Sequence, residues 1–486
     1  MRSHIVELAN VSFDTGEFPA ELKHAILIPL LKGANCDINQ LKNYRPISLL
    51  PFLSKTLEKL VAVQLNDYIE ANSLLSQHQS AYRAGYSVET CLLSLQSELL
   101  EILDRGNAAF LVLLDLSAAF DTINHDLLLH SLHINYNIND KALEWIKSYL
   151  TNRTYQVKVD SKLSDKMRLK TGVPQGSVLG PILFNMFVGQ LASIFSRFNL
   201  SAYFYADDTQ FFVEFDPKNP ASENQARDLI CSVMSQVSDW MLKNHLKLNA
   251  AKTVFLPIHR CLNKDFAPLL INGSSIKPST NTRNLGFTFT SNLDPRQHIN
   301  TIKRSSFYHL KRLSKVRSIF SFQQRETLMH AFITSRLDFC NSLFYGSSKR
   351  AIGVLHSIQA ASARALMGTS FTTPSMPLFY QLHWLPSAAR IVFKLAVLGF
   401  KILHGSAPKY LSSRISRFKP PRATRSSIAP RLTTNFIPRC VRYGDRTAYT
   451  SICQVFNNLP PDIRKQTTLP IFKSRLKTAL FEKHFS

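Results

Sequence analysis

The chain has 486 residues, 45% apolar and 19% charged, which allows two or three domains with real cores and excludes wholesale disorder. Lys and Arg number 58 against 33 Asp and Glu, and the net charge of +25 points to a polyanionic partner, nucleic acid ahead of a membrane surface. No apolar run approaches the ~18–20 residues of a membrane span, and the opening MRSHIVELAN has no hydrophobic signal core, so an intracellular protein with no membrane partner is expected.

The charge is divided unevenly. Residues 295–486 hold 31 Lys and Arg against 5 Asp and Glu, whereas residues 1–294 hold 27 against 28. A near-neutral part followed by a strongly basic one suggests chemistry in the first and a grip on phosphates in the second. The seven cysteines (36, 91, 231, 261, 340, 440 and 453) are dispersed, form no CxxC and have no zinc spacing, so buried thiols in a reducing compartment are expected. The stretch RFKPPRATRSSIAPR at 417–431 reads as a linker or a basic phosphate-binding arm.

In chain order, LSKTLEKLVAVQLNDYIEAN (53–72) and VETCLLSLQSELLEILDRGN (88–107) predict amphipathic helices, the second stopping at Gly106–Asn107. The run Phe110–Leu114 predicts a strand buried on both faces and ending in Asp115. An extended pair follows at 155–172, then the glycine-punctuated GVPQGSVLGPILFNMF (172–187). SAYFYADDTQFFVEF (201–215) predicts a hairpin around an acidic turn at Asp207 and Asp208. From about residue 296 the pattern becomes helical and basic, as in KRSSFYHLKRLSKVRSIF (303–320), where Phe307, Leu310 and Leu313 fit a core stripe and the six cations between 303 and 317 do not.

Asp in an exposed turn is ordinary, because its side chain forms Asx turns. Here both acidic elements terminate strands that should be buried, and folding could gather them. Carboxylates so gathered repel one another and are tolerated when divalent cations lie between them. A pair of such ions is the arrangement used for in-line phosphoryl transfer.

Seven segments in order carry more information than the acidic turn alone: LKNYRPISLL (41–50), QSAYRAGYSVET (79–90), LLDLSAAFDTINHD (113–126), GVPQGSVLGPILF (172–184), FYADDT (204–209), LKLNAAKT (246–253) and NLGFTF (284–289). Together they resemble the reverse transcriptase domain of non-LTR, LINE-type retrotransposons, nearest the jockey-like group. FITSRLDFCNSL (332–343), HWLP (383–386) and FKSRLKTALF (472–481) extend the resemblance along the tail.

The resemblance implies an α+β right-hand polymerase with fingers, a palm built on an antiparallel sheet and a helical thumb, followed by a basic, mainly helical region. The expected division is a lead-in over 1–40, fingers and palm over 41–290, a thumb-like region over 291–370 and a basic C-terminal region over 371–486. It implies RNA-directed DNA synthesis from dNTPs, with Asp115, Asp207 and Asp208 holding two Mg²⁺ ions (Mn²⁺ as a substitute). Phe120 would be the steric gate against a 2′-hydroxyl. Gln175 would line the nucleotide pocket, with Gly172 and Gly176 allowing close backbone approach. Arg83 and Arg45 would pair with the triphosphate, and Lys252 would protonate pyrophosphate. His125 is expected to be structural or exposed. The implied partners are an RNA template (the element's own RNA), a DNA primer and dNTPs. The resemblance also implies a nuclear location and an endonuclease upstream of residue 41, for which the chain has no room. An RNA-templated RNA polymerase is disfavoured by Phe120 and by YADD in place of GDD. A catalytically inactive nucleic-acid-binding remnant is the alternative, though all three acidic ligands are present.

Overall fold

A computed structural model describes all residues except 1, 34, 118–119, 250–251, 261–263, 272, 420–428 and 486. The chain opens with α1 (Arg2–Thr15), β1 (His24–Leu31), β2 (Tyr44–Leu49), α2 (Phe52–Ala71) and α3 (Val88–Arg105). The Ser87 and Thr90 side chains form a capping box at the start of α3, and Gly106 ends it at φ +97°. Next come β3 (Ala108–Leu114), β4 (Leu116–Ser117), α4 (His125–Tyr136), α5 (Asp140–Leu150), β5 (Thr154–Val159), β6 (Lys162–Leu163), β7 (Met167–Arg168), α6 (Gly180–Val188) and α7 (Leu191–Arg197). The predicted hairpin is β8 (Ala202–Tyr205) and β9 (Asp208–Phe215), followed by α8 (Pro220–Lys243), β10 (Lys247–Leu248) and β11 (Val254–Ile258).

Two sheets organise this part. The palm sheet is antiparallel, in the order β11-β3-β9-β8, with Leu114 paired to Thr209 at the β3–β9 end. β3 runs through its middle and is almost wholly buried, as its unbroken apolar run predicts. The fingers sheet has the order β2-β1-β5-β6 with β7 also on β5. β1 pairs antiparallel to β2 and parallel to β5, and in the segment before β1 the Phe18 ring lies edge-on to Trp145 of α5 at 5.4 Å. Within the expected lead-in over 1–40, the apolar run HAILIPLL is the strand between β2 and β5 in this sheet, and α1 packs on α5.

Two small hairpins follow, β12 (Leu269–Ile271) with β13 (Ser274–Ile276) and β14 (Asn281–Asn284) with β15 (Phe287–Thr290). The tail is helical: α9 (Arg296–Lys315), α10 (Phe322–Met329), a π-helical turn at His330–Thr334, α11 (Ser335–Asp338), α12 (Lys349–Met367), α13 (Ser375–Gln381), α14 (Ser387–Leu403) and α15 (Lys409–Ser412). A short hairpin of β16 (Ile415–Arg417) and β17 (Leu432–Thr434) precedes α16 (Ala448–Asn457), α17 (Pro461–Arg464) and α18 (Leu469–Phe485). Most of the Pro/Arg-rich stretch at 417–431 lies outside the described residues.

The tail does not stand apart from the palm. α3 is buried nearly all round, between the palm sheet on one side and the C-terminal helices on the other. Its carboxylates are met by the tail: Lys394 and the Ser342 hydroxyl bind Glu89 at 2.8 Å each, Arg414 pairs with Glu101, and the Arg439 and Cys440 amides donate to Asp104. Boundaries at 291 and 371 divide the sequence pattern but not this core. On α9, Leu310 is buried and Leu313 packs against the core as expected, whereas Phe307 is exposed; Arg312 lies over the neighbouring Tyr308 ring at 5.0 Å. Cys91, Cys340 and Cys453 are buried, while Cys36, Cys231 and Cys440 are half-buried; Cys261 lies outside the described residues. Among the described residues no helix is long and apolar enough to cross a membrane.

Candidate active site

The end of β3 and the β8–β9 turn bring the acidic residues together. The β3–β9 register ends with Leu114 on Thr209, so Asp115 and Asp208 leave and enter the two strands at the same end of the sheet. Tyr205 pairs with Asp208, leaving Ala206 and Asp207 as a two-residue turn with Ala206 at φ +56°. A non-glycine residue there costs about 1–3 kcal/mol, strain of the sort held where function needs a side chain presented.

The charge on Asp115 reaches both residues of the turn. Burial raises Asp207 above the usual carboxylate range, the Asp115 charge raises it further, and Arg45 and Lys252 pull it back. Asp208 is pushed up to about 6, first by burial and then by Asp207 and Asp115. Asp115 itself is held from the other side. β10 pairs with β4, which carries Asn249 to Asp115: the Asn249 amide donates to the Asp115 carbonyl at 3.0 Å, and its side chain reaches the carboxylate at 3.3 Å. The Lys252 ammonium completes the arrangement, 2.8 Å from the same carboxylate oxygen.

A cleft of about 1010 Å³ opens in front of Asp115 and Asp207. Its other walls are the fingers residues Lys32, Lys42, Tyr44 and Arg45, the Phe120–Asp121 pair, and the loop carrying Gln175 and Gly176. Phe120 presents its ring against Phe184, the two stacked at 4.3 Å. The Gln175 side chain donates to both Asp121 carboxylate oxygens, at 2.8 and 3.0 Å. An ionised carboxylate can only accept, so the Gln175 amide nitrogen faces Asp121 and its oxygen is left to face elsewhere.

Three expectations change. Asp208 does not line this cleft; it faces a smaller cavity of about 270 Å³, bounded by Gln210, Arg283 and Gly286. Arg83 is not in the cleft either: its guanidinium is buried, bidentate on Glu70 at 2.7 and 2.8 Å, bonded to the Ser76 and Gln79 carbonyls, and 4.2 Å from the Tyr86 ring. With four of its five N–H donors engaged and its side chain buried, it is not presented to a triphosphate in the cleft. Gly172 and Gly176 take φ +80° and +113°, but the space a Cβ would need belongs to the Phe120, Asp121 and Ser48 carbonyls at 2.7–2.8 Å. The close approach is between backbones of the protein itself. His125 is structural, its ring 2.7 Å from the Gly172 carbonyl oxygen.

Sequence reasoning missed Lys32, Lys42, Asp121 and Asn249. Asp121 directly follows Phe120 and Asn249 precedes Lys252 by three, so adjacency to named residues was the available signal.

Residues 32–289 match the profile of the family described as "Reverse transcriptase (RNA-dependent DNA polymerase)". The chain belongs to this family. The "Probable RNA-directed DNA polymerase from transposon BS" of Drosophila melanogaster is 28% identical over 307 residues, covering 61% of this chain and 32% of that protein. The "RNA-directed DNA polymerase from mobile element jockey" of Drosophila funebris is 23% identical, covering 75% of this chain and 40% of that one. The chain thus spans about a third of the length of these relatives, and the resemblance to LINE-type reverse transcriptases is borne out. Among solved structures, apo telomerase from Candida tropicalis aligns over 76% of this chain and 62% of that one, at 15% identity and a TM-score of 0.43.

This member of the family has the palm sheet, fingers sheet and helical tail of a right-hand polymerase. Whether its carboxylates fit divalent cations can be judged from the site. Among the described residues no three acidic, His or Cys side chains already converge on one point. The donor set nevertheless suits hard cations: Asp115 and Asp207 offer oxygens into one cleft, Asp207 is raised by burial and by the Asp115 charge, and Asp115 already carries an ammonium.

Proposed function

We propose that this chain carries out RNA-templated DNA synthesis, transferring a nucleotide from a dNTP to the 3′ end of a DNA primer. The observation that carries the reading is the cleft's charge layout. Two carboxylates on the palm face three fingers cations, Lys32, Lys42 and Arg45, across a space of about 1010 Å³. A triphosphate matches the cations, and its reacting phosphorus then lies toward the carboxylates.

In this reading Arg45, Lys32 and Lys42 take the phosphate oxygens by charge and hydrogen bonds. The Phe120 ring, backed by Phe184, fills the place of a 2′-hydroxyl and so selects dNTPs. Two Mg²⁺ ions, with Mn²⁺ as a substitute, would be held by Asp115 and Asp207 with Asp208 adding charge behind, and supply Lewis-acid stabilisation of the attacking and leaving oxygens. The primer 3′-hydroxyl gives its proton to solvent water as its oxygen bonds to the α-phosphorus, the bond from that phosphorus to the bridging oxygen breaks, and Lys252 gives its proton to the departing pyrophosphate. The exposed cations of α9, among them Lys303, Arg304, Lys311, Arg312 and Lys315, suit the phosphates of a primer–template duplex.

A second reading, an inactive nucleic-acid-binding remnant, is favoured by two observations: Asp115 is engaged by Lys252, and no converged metal-binding group exists among the described residues. Primer extension on an RNA template with Mg²⁺ or Mn²⁺, comparing dNTPs with NTPs in the wild type and Phe120→Val, separates the two. Extension confined to dNTPs in the wild type and admitting NTPs in the variant supports the polymerase. No extension with either metal leaves the remnant.

A further inference from the structure

Glu58 lies in the second turn of α2, wholly buried, and does not line the cleft. Among the described residues it has no ion-pair partner, so its charge is met by hydrogen bonds. Its Oε2 accepts the backbone N–H groups of Val178 at 2.6 Å and Leu179 at 3.1 Å, and the Tyr149 hydroxyl at 3.3 Å. Its Oε1 accepts the Ser54 hydroxyl at 3.0 Å. Val178 and Leu179 immediately precede α6, where N–H groups lack intrahelical partners and the helix end is electropositive. A buried carboxylate is costly unless its lone pairs are filled. Glu58 fills them with the one stretch of backbone that connects the two parts of the cleft wall.

On one side of that stretch stand Gln175 and Gly176, on the other Gly180 and Pro181, and all four line the cleft. One turn into α6, Phe184 backs the Phe120 ring. Ser48 on β2 reinforces the hold, donating its amide to the Gln175 carbonyl at 2.7 Å. The fingers therefore grip this loop from behind at two points, and the loop in turn sets Gln175 and the support of Phe120.

We propose that Glu58 is a positioning residue for nucleotide selection: from the fingers helix, its carboxylate fixes segment 174–181 so that Gln175 and Phe120 meet the sugar of the incoming nucleotide. The inference rests on the reading of the cleft as a dNTP site. Glu58→Gln keeps the hold, because its amide oxygen can take the place of Oε2 while its nitrogen donates to the Ser54 hydroxyl, which turns to accept. Glu58→Leu keeps the bulk and leaves both amides and the Tyr149 hydroxyl unpaired.

The test compares wild type, Glu58→Gln and Glu58→Leu by amide hydrogen exchange and by single-nucleotide primer extension. In Glu58→Leu, exchange at Val178 and Leu179 should quicken at least roughly tenfold while β3 and β9 keep their protection. The KM for dNTP should rise roughly tenfold with a smaller fall in kcat, and discrimination against NTPs should weaken. Glu58→Gln should stay within about threefold of wild type in each. Should Glu58→Leu fail to fold, Tyr149→Phe, which removes one of the four bonds, should show the same pattern at smaller size. Unchanged exchange at 178–179, or lost kcat and melting temperature with KM and discrimination intact, would overturn the proposal. A wild type that extends no primer instead defeats the reading of the cleft, and the exchange comparison alone then decides whether Glu58 holds the loop.

Discussion

The Lys252 ammonium sits 2.8 Å from the Asp115 carboxylate, so the residue expected to serve the leaving group is bound to one expected to hold metal. Both roles fit one cycle if divalent cations displace the lysine and free it to face the pyrophosphate. Lys252→Met should then do two opposite things. Turnover should fall by roughly a hundredfold as the proton donor is lost. The Mg²⁺ concentration giving half-maximal rate should also fall, because nothing competes for Asp115. A magnesium titration of primer extension reads both, and a variant unchanged in both would remove Lys252 from the site.

Asp208 offers a prediction with a definite sign. Its folded-state carboxyl, at about 6, lies above the ordinary aspartate value of 3.8. The folded chain therefore holds more protons than the unfolded one between these values, and stability declines as pH rises through that window. Asp208→Asn removes the penalty. Its melting temperature should exceed that of wild type by about 2–4 °C at pH 7 and match it near pH 4. A variant less stable than wild type at pH 7 would show that the carboxylate is held rather than strained.

Residues 303–317 and the fold of the tail can be tested separately. Replacing Lys303, Arg304, Lys311 and Arg312 by Gln should leave the melting temperature near that of wild type, since all four are exposed. Template affinity should drop, and the slope of log affinity against log salt should shrink by roughly 0.7–0.9 for each phosphate no longer neutralised. An unchanged slope would place the template elsewhere.

Truncation after Asp294 tests something different. It strips Lys394 and Arg414 from the carboxylates of Glu89 and Glu101 and uncovers one side of α3. The apolar side chains that the tail covers on α3 then meet water, at about 1.5–3 kcal/mol for each one fully exposed, against a whole-domain stability of about 5–15 kcal/mol. The truncated chain should show no cooperative melt by circular dichroism. A sharp transition near that of wild type would mean that the palm folds without the tail.

What the sequence revealed was mostly local. The end of β3 at Asp115 and the turn at Asp207 were legible because buried apolar runs and a two-residue hairpin leave short-range patterns. The α2 and α3 helices were legible for the same reason. Arg83 was not, because an arginine bound to Glu70 looks in sequence like one awaiting phosphate; the difference is an ion pair made across the fold. The facing of Asp207 and Asp208 into different cavities depends on how the β8–β9 turn meets the β14–β15 hairpin, which no spacing in YADD records. The burial of α3 under the tail was hidden likewise: its apolar pattern shows one core-facing stripe, while its second covered side is set by partners some 250–350 positions away.

The most direct test of the catalytic centre is primer extension by wild type and Asp207→Asn on an RNA template, with template affinity measured in parallel. A catalytic Asp207 predicts at least about a hundredfold loss of incorporation with RNA binding retained. Equal incorporation by the two proteins would contradict it.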